Sequence, residues 1–124
     1  MEIKTSELTG PALDWAVAKC DLYLGQVKLN QHKRWNDLGR TQVRDDDWTE
    51  YSPSTDWSQG GPIMGREKIN VEWWGMDWWH AWIDSKADLP PIYNKRGPTP
   101  LIAAMRCFVA SKMGDSIDIP KELL

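Results

Sequence analysis

The clearest helical period in the chain is Leu101, Ile102, Met105, Phe108 and Val109, apolar at three- and four-residue spacing with Lys112 and Asp115 outside that face. The pattern predicts a helix over Pro100–Met113. Thr99 can cap it with its hydroxyl, Pro100 occupies the first position, where a missing N–H costs nothing, and Gly114 suits the backbone that ends it. A second helical pattern runs from about residue 11 to residue 22 or 24, with Pro11 in its first turn. Leu13, Val17, Cys20 and Leu24 form its apolar row, and Ala12, Ala16 and Ala18 leave room for close approach of the first helix.

Strict alternation marks a hairpin between Glu67 and Asp84. A three-residue turn at Gly75–Asp77 would pair Trp74 with Trp78 and Glu72 with His80. Ile69, Val71, Trp73, Trp79, Ala81 and Ile83 then share one apolar face, and Asn70, Glu72, Trp74, Trp78, His80 and Trp82 share the other. An isolated hairpin is marginal in water, so a third strand is expected, and Met1–Lys4 alternates suitably. Ser85–Arg96, with Pro90-Pro91, reads as an irregular connection. Ile117 and Ile119 alternate before Pro120 stops the run, and Lys121–Leu124 is expected to fray.

Between Gly25 and Arg66 no period survives. Residues 25–50 read as a mobile or irregular insertion, although hidden short strands would also account for so long a connection. Tyr51–Pro62 reads as an ordered loop packed by its own aromatics, because Pro53, Gly60, Gly61 and Pro62 set backbone angles while Tyr51 and Trp57 offer anchors. The expected fold class is α+β, one domain over residues 1–124, in which two main helices cover a small antiparallel sheet centred on the Trp-rich hairpin.

Composition changes this picture in one respect. Nine tryptophans against a single phenylalanine imply that Trp carries much of the core. A net charge of -3 supplies no field that gathers phosphates, which makes nucleic acid the less favoured partner, although His32-Lys33-Arg34, Arg40 and Arg44 could form a local basic patch. Cys20 and Cys107, both in helical patterns, read as buried free thiols. Met1–Glu7 lacks the basic and apolar regions of a signal peptide, and no apolar run approaches the ~20 residues of a membrane span. A cytoplasmic protein without membrane contact is the expectation.

Candidate chemistry gathers in four places. Asp56, Trp57 and Gln59 combine a carboxylate, an indole and an amide beside two glycines that permit close approach, yet the same residues suit a structural Asx or Ser turn. Arg106, among small and apolar neighbours, needs a carboxylate or carbonyl partner, for which Asp14 and Asp56 are the candidates. Glu72 opposite His80 resembles the setting of a general base but lacks a nucleophile, so a cross-strand pair suffices. Trp74, Trp78 and Trp82, on a polar-rimmed face, could anchor a partner, a second copy, or a long loop folded over them. No phosphate-loop fingerprint and no zinc or calcium spacing occurs, so neither cofactor nor metal is expected.

Three stretches carry a family resemblance. They are Lys4–Gly10 with Ala12–Ala18, Tyr51–Ile63, and Gly97–Cys107 with Val109–Lys112. The chain resembles the NinX-like family of small proteins encoded by tailed bacteriophages and prophages. That resemblance implies phage origin and host bacterial cytoplasm, and it carries over no catalytic residue. The functional expectation is a non-enzymatic phage accessory protein binding a host or phage macromolecule, most simply a protein. The alternative is a small enzyme or ligand-binding protein that uses Asp56, Gln59 and Arg106.

Overall fold

The computed structural model describes residues 1–21, 26–29, 41–44, 48–85 and 89–123, with residues 26–29, 41–44 and 48–49 described as backbone. Its elements in chain order are β1 (Glu2–Lys4), α1 (Gly10–Cys20), β2 (Gln26–Leu29), β3 (Thr41–Arg44), β4 (Trp48–Glu50), α2 (Trp57–Glu67), β5 (Ile69–Gly75), β6 (Trp78–Ile83), β7 (Ile92–Gly97), α3 (Pro100–Met113) and β8 (Ser116–Asp118). Single 3₁₀ turns occur at Thr5–Glu7 and Lys121–Leu123. All strand pairs are antiparallel: β1 with β8, β2-β3-β4, and β5-β6-β7. The class is α+β, as the sequence implies.

Helix α3 is the centre of the molecule. Thr99 Oγ1 accepts from Ile102 N at 3.1 Å, Pro100 opens the helix, and Gly114 closes it at φ 83°. Its apolar surface is broader than a single stripe: Leu101 and every residue from Ala103 to Ala110 are buried. A helix buried on all sides needs neighbours all round. Sheet β5-β6-β7, helices α1 and α2, and β8 supply them. The alanines of α3 make the approach close, and a Cβ on Gly97 would come within 2.8 Å of Ala103 N. Ile117 and Ile119 are buried as their alternation suggests.

Helix α1 stops at Cys20, because Asp21 is extended (φ −86°, ψ 102°), so the row that continued to Leu24 is cut short. Leu24 itself lies outside the described residues. Leu13, Val17 and Cys20 are buried, with α1 packed on α3. Both cysteines are free and buried, and burial pushes the Cys20 thiol up to about 11 and the Cys107 thiol up to about 12.

Several expectations need correction. Tyr51–Pro62 is not a loop throughout, because Trp57–Glu67 forms α2 despite three glycines and Pro62. Asp56 starts this helix by accepting from Ser58 N at 2.9 Å, while Ile63 is 2% exposed and anchors the helix from below. Packing here overrides propensity. At Gly60 a Cβ would lie 2.3 Å from Pro53 O and 2.7 Å from Leu101 Cδ2, so the residue that weakens the helix also permits its packing.

The third strand beside the hairpin is β7, not Met1–Lys4, which pairs with β8 at the other end of α3. Ser85–Arg96 is therefore only partly irregular. Tyr93, at φ 56°, accompanies a register shift between Ala81 and Ile83 that breaks the alternation by which β7 would be recognised. Within residues 25–50 lie three short strands, β2 to β4, one of the explanations that the sequence leaves open, each too brief to establish a period. Residues 30–40 and 45–47, read as mobile, lie outside the described residues.

Finally, among the described residues the core contains no fully buried tryptophan. Phe108, Leu8, Leu13, Ile63 and Met105 are its largest fully buried side chains. Trp15, Trp79 and Trp82 are half-buried, and Trp57, Trp73, Trp74 and Trp78 are exposed.

Candidate functional site

The hairpin pairs Ile69 with Ile83, Asn70 with Trp82, Val71 with Ala81, Glu72 with His80 and Trp73 with Trp79, in the expected register. The turn differs. Met76 and Asp77 form a two-residue loop, both left-handed (φ 53° and 64°), and Gly75 rather than Trp74 faces Trp78. A two-residue turn of this kind matches the twist of the flanking strands. The bulge at Trp74 absorbs the extra residue and keeps both faces intact, so loop length and register need not be linked by parity alone.

On the face turned towards α3, Ala81 is fully buried and Ile69 nearly so. The outer face is aromatic and wet. Trp74 lies 4.1 Å from the His80 ring, centroid to centroid, and His80 stacks on Trp82 at 5.1 Å and 22°. The Trp82 indole N–H donates to Asp84 at 3.1 Å, and Asn70 Nδ2 reaches the other oxygen of the same carboxylate at 3.3 Å. His80 Nε2 meets Asn94 Oδ1 at 3.0 Å, so its described partner is an amide and not Glu72. Arg96, opposite His80 on β7, sits 5.1 Å from the Trp78 ring centroid. Trp74 is 57% exposed and Trp78 39%.

Asp56, Gln59 and Arg106 are engaged elsewhere, with separate partners. Asp56 Oδ1 accepts from both the backbone N and the hydroxyl of Ser58. Gln59 clasps the segment before α2, its Oε1 accepting from Ser52 N at 2.6 Å and its Nε2 donating to Glu50 O at 3.0 Å. Arg106 donates to two carbonyls, Nε to Leu8 O at 2.7 Å and Nη1 to Arg96 O at 2.8 Å. Neither Asp14 nor Asp56 is among these partners. Burial pulls the Arg106 guanidinium below its ordinary value. Its geometry ties the segment before α1 and the end of β7 to α3. Trp57, 55% exposed, borders a depression of about 200 Å³ with Ser54, Thr55 and Thr99–Ile102, and Arg106 does not line it.

With the fold and these geometries in place, the comparison with known families is decisive for kinship: the model of the bacteriophage P22 NinX family matches residues 4–112. The chain belongs to the bacteriophage P22 NinX family. No curated protein matches the sequence. In this NinX-family protein the matched span runs from the end of β1 almost to the end of α3, and so includes the whole aromatic sheet.

Two groups of residues escape a reading of the NinX-family sequence. Asn94 and Arg96 belong to the outer face only through β7, hidden behind Pro90-Pro91 and the left-handed Tyr93. The apolar start of Ile92-Tyr93 was the available signal. The other group is a polar cluster around the buried carboxylates of Asp14 and Asp21. Ser54 N donates to Asp14 Oδ1 at 2.9 Å, Arg66 Nη2 to Asp21 Oδ1 at 3.1 Å, and Tyr51 OH lies 3.5 Å from Asp21 Oδ2. Burial, and then the Asp21 carboxylate, raises the Tyr51 phenol. This cluster joins α1, α2 and the turn between β4 and α2, contacts that no local spacing reveals. Among the described residues no group of three or more His, Cys, Asp or Glu could hold a metal ion, and no helix is long and apolar enough to cross a membrane.

Proposed function

We propose that this NinX-family protein is a non-enzymatic phage accessory module, working in the host cytoplasm, that binds a host or phage protein through the outer face of sheet β5-β6-β7. The observation that supports this reading is the exposure of Trp74 and Trp78 beside the ordered Trp74-His80-Trp82 stack. Aromatic side chains with few rotatable bonds, rimmed by Asn, Asp and Arg, lose little entropy on binding and present much apolar area. Asp56, Gln59 and Arg106, by contrast, have their hydrogen bonds directed at the protein's own groups.

The test is capture from extract of infected host cells by the wild type and by the triple substitution Trp74→Ser, Trp78→Ser, Trp82→Gln. The expected result is loss of the captured partner with the circular dichroism spectrum retained. Equal capture by both proteins would sink the reading.

A further inference from the structure

Glu72, His80 and Arg96 lie side by side on three adjacent strands, since Glu72 pairs with His80 and His80 with Arg96. The row therefore runs from negative through an imidazole to positive. Glu72 and Arg96 are both exposed, and among the described residues neither has an ion-pair partner. Two strand spacings, roughly 10 Å, separate their backbones, and His80 stands on the strand between them. Arg96 is nonetheless held in place, its guanidinium over Trp78.

A charge row of this kind is its own complement. A face-to-face copy related by a two-fold axis parallel to β6 has left and right exchanged. It therefore sets its Arg96 over Glu72 and its Glu72 over Arg96, with the two His80 rings meeting near the axis. An axis along the row would instead oppose like charges, so this row favours the axis parallel to β6. The aromatic residues on either side of His80 supply the apolar area, and the sheets pack in the aligned manner usual for stacked sheets.

We infer that the outer face of sheet β5-β6-β7 docks a second copy of this chain through paired Glu72–Arg96 contacts about a two-fold axis parallel to β6. The inference rests on the reading of that face as a docking surface and names one partner for it. Three short strands make a footprint well below the roughly 800 Å² per partner of standard interfaces, so the dimer is transient and dissociates in the micromolar range.

Sedimentation equilibrium from about 10 µM to about 1 mM, at low salt, tests it. Wild type is expected to dimerise, and Glu72→Arg or Arg96→Glu alone to weaken the dimer about tenfold or more. An equimolar mixture of these two variants should form heterodimers, because each face then meets its complement, and the double variant should recover self-association. Circular dichroism of each variant checks that it is folded. A wild type monomeric throughout, or a dimer indifferent to both reversals, overturns the inference. If wild type is monomeric while the triple Trp substitution still abolishes partner capture, self-docking alone has failed. If a wild-type dimer survives the triple Trp substitution and capture is also unchanged, the docking reading of this face falls with it.

Discussion

Sheet β5-β6-β7 presents two faces built on opposite principles. Towards α3 it offers mainly small or branched residues, Ile69, Val71, Ala81 and Ile83, with Trp79 only partly buried against the core and Trp73 exposed. Away from α3 it offers three indoles and an imidazole, which bury part of their area against one another and leave the rest to solvent. The size of a side chain does not decide which face becomes core. A helix lined with Ala103, Ala104 and Ala110 is complementary to small partners, and an indole of roughly 150–250 Å² is too large to be wholly buried there, so Trp79 enters the core only in part. The single phenylalanine, Phe108, is accordingly worth more to the core than any described tryptophan.

The largest expected effect tests that ranking directly. Phe108→Ala should lower the unfolding free energy by about 3–5 kcal/mol, read from urea or guanidinium denaturation, because its side chain is fully buried. Next is Arg106→Met, expected to cost about 2–4 kcal/mol by leaving the carbonyls of Leu8 and Arg96 without their donors. Gly60→Ala should follow at about 1–3 kcal/mol, since the added methyl meets the backbone of Pro53.

The buried thiols sharpen the core side of the comparison through pH. Cys20 and Cys107 have folded values of about 11 and about 12 against an ordinary 9.0. Both are raised, so the stability contributed by neutral thiols is fully present below pH 9 and falls away as pH rises towards 11 and 12. Thermal melts from pH 8 to pH 11 should show a progressive loss, and replacing both cysteines by alanine should lessen that decline, leaving the part due to the raised Tyr51 phenol. At the small end stands Trp74→Ser on the outer face, expected to change stability by no more than about 0.5 kcal/mol while altering the intrinsic fluorescence. A cost matching that of Phe108→Ala would erase the distinction between the faces.

How far these features were legible beforehand varies with how local their causes are. Helix α3, its Thr99 cap, the face pairing of β5 with β6 and the burial of Ile117 and Ile119 all follow from near neighbours in the chain. Helix α2 does not, because Gly60, Gly61, Pro62 and Gly65 oppose it, and beyond the Asp56 cap it depends on packing against Pro53, Leu101 and the core. Strand β7 is concealed by its own irregularity, and β2 to β4 are too short to carry a period. The tryptophan count misled for a related reason: composition records how much apolar area exists, whereas burial depends on whether the opposing surface can accept its shape. At the candidate site, Trp74, Trp78 and Trp82 could be assigned to one face from parity, but Asn94 and Arg96 join it only through strand order.

The break in register on β7 has a consequence for how this protein behaves when crowded. An unpaired outer strand is an invitation to another chain, and regular edges seed intermolecular sheets. Here Tyr93, forced into the left-handed region, interrupts the row of donors and acceptors after a single residue of the strand, and Lys95 and Arg96 place cations along the remainder. Both devices discourage lateral growth of the sheet. The irregularity that hid β7 from view in the sequence thus also guards an open edge against aggregation, while leaving the broad aromatic face free for contacts that end at a defined stoichiometry.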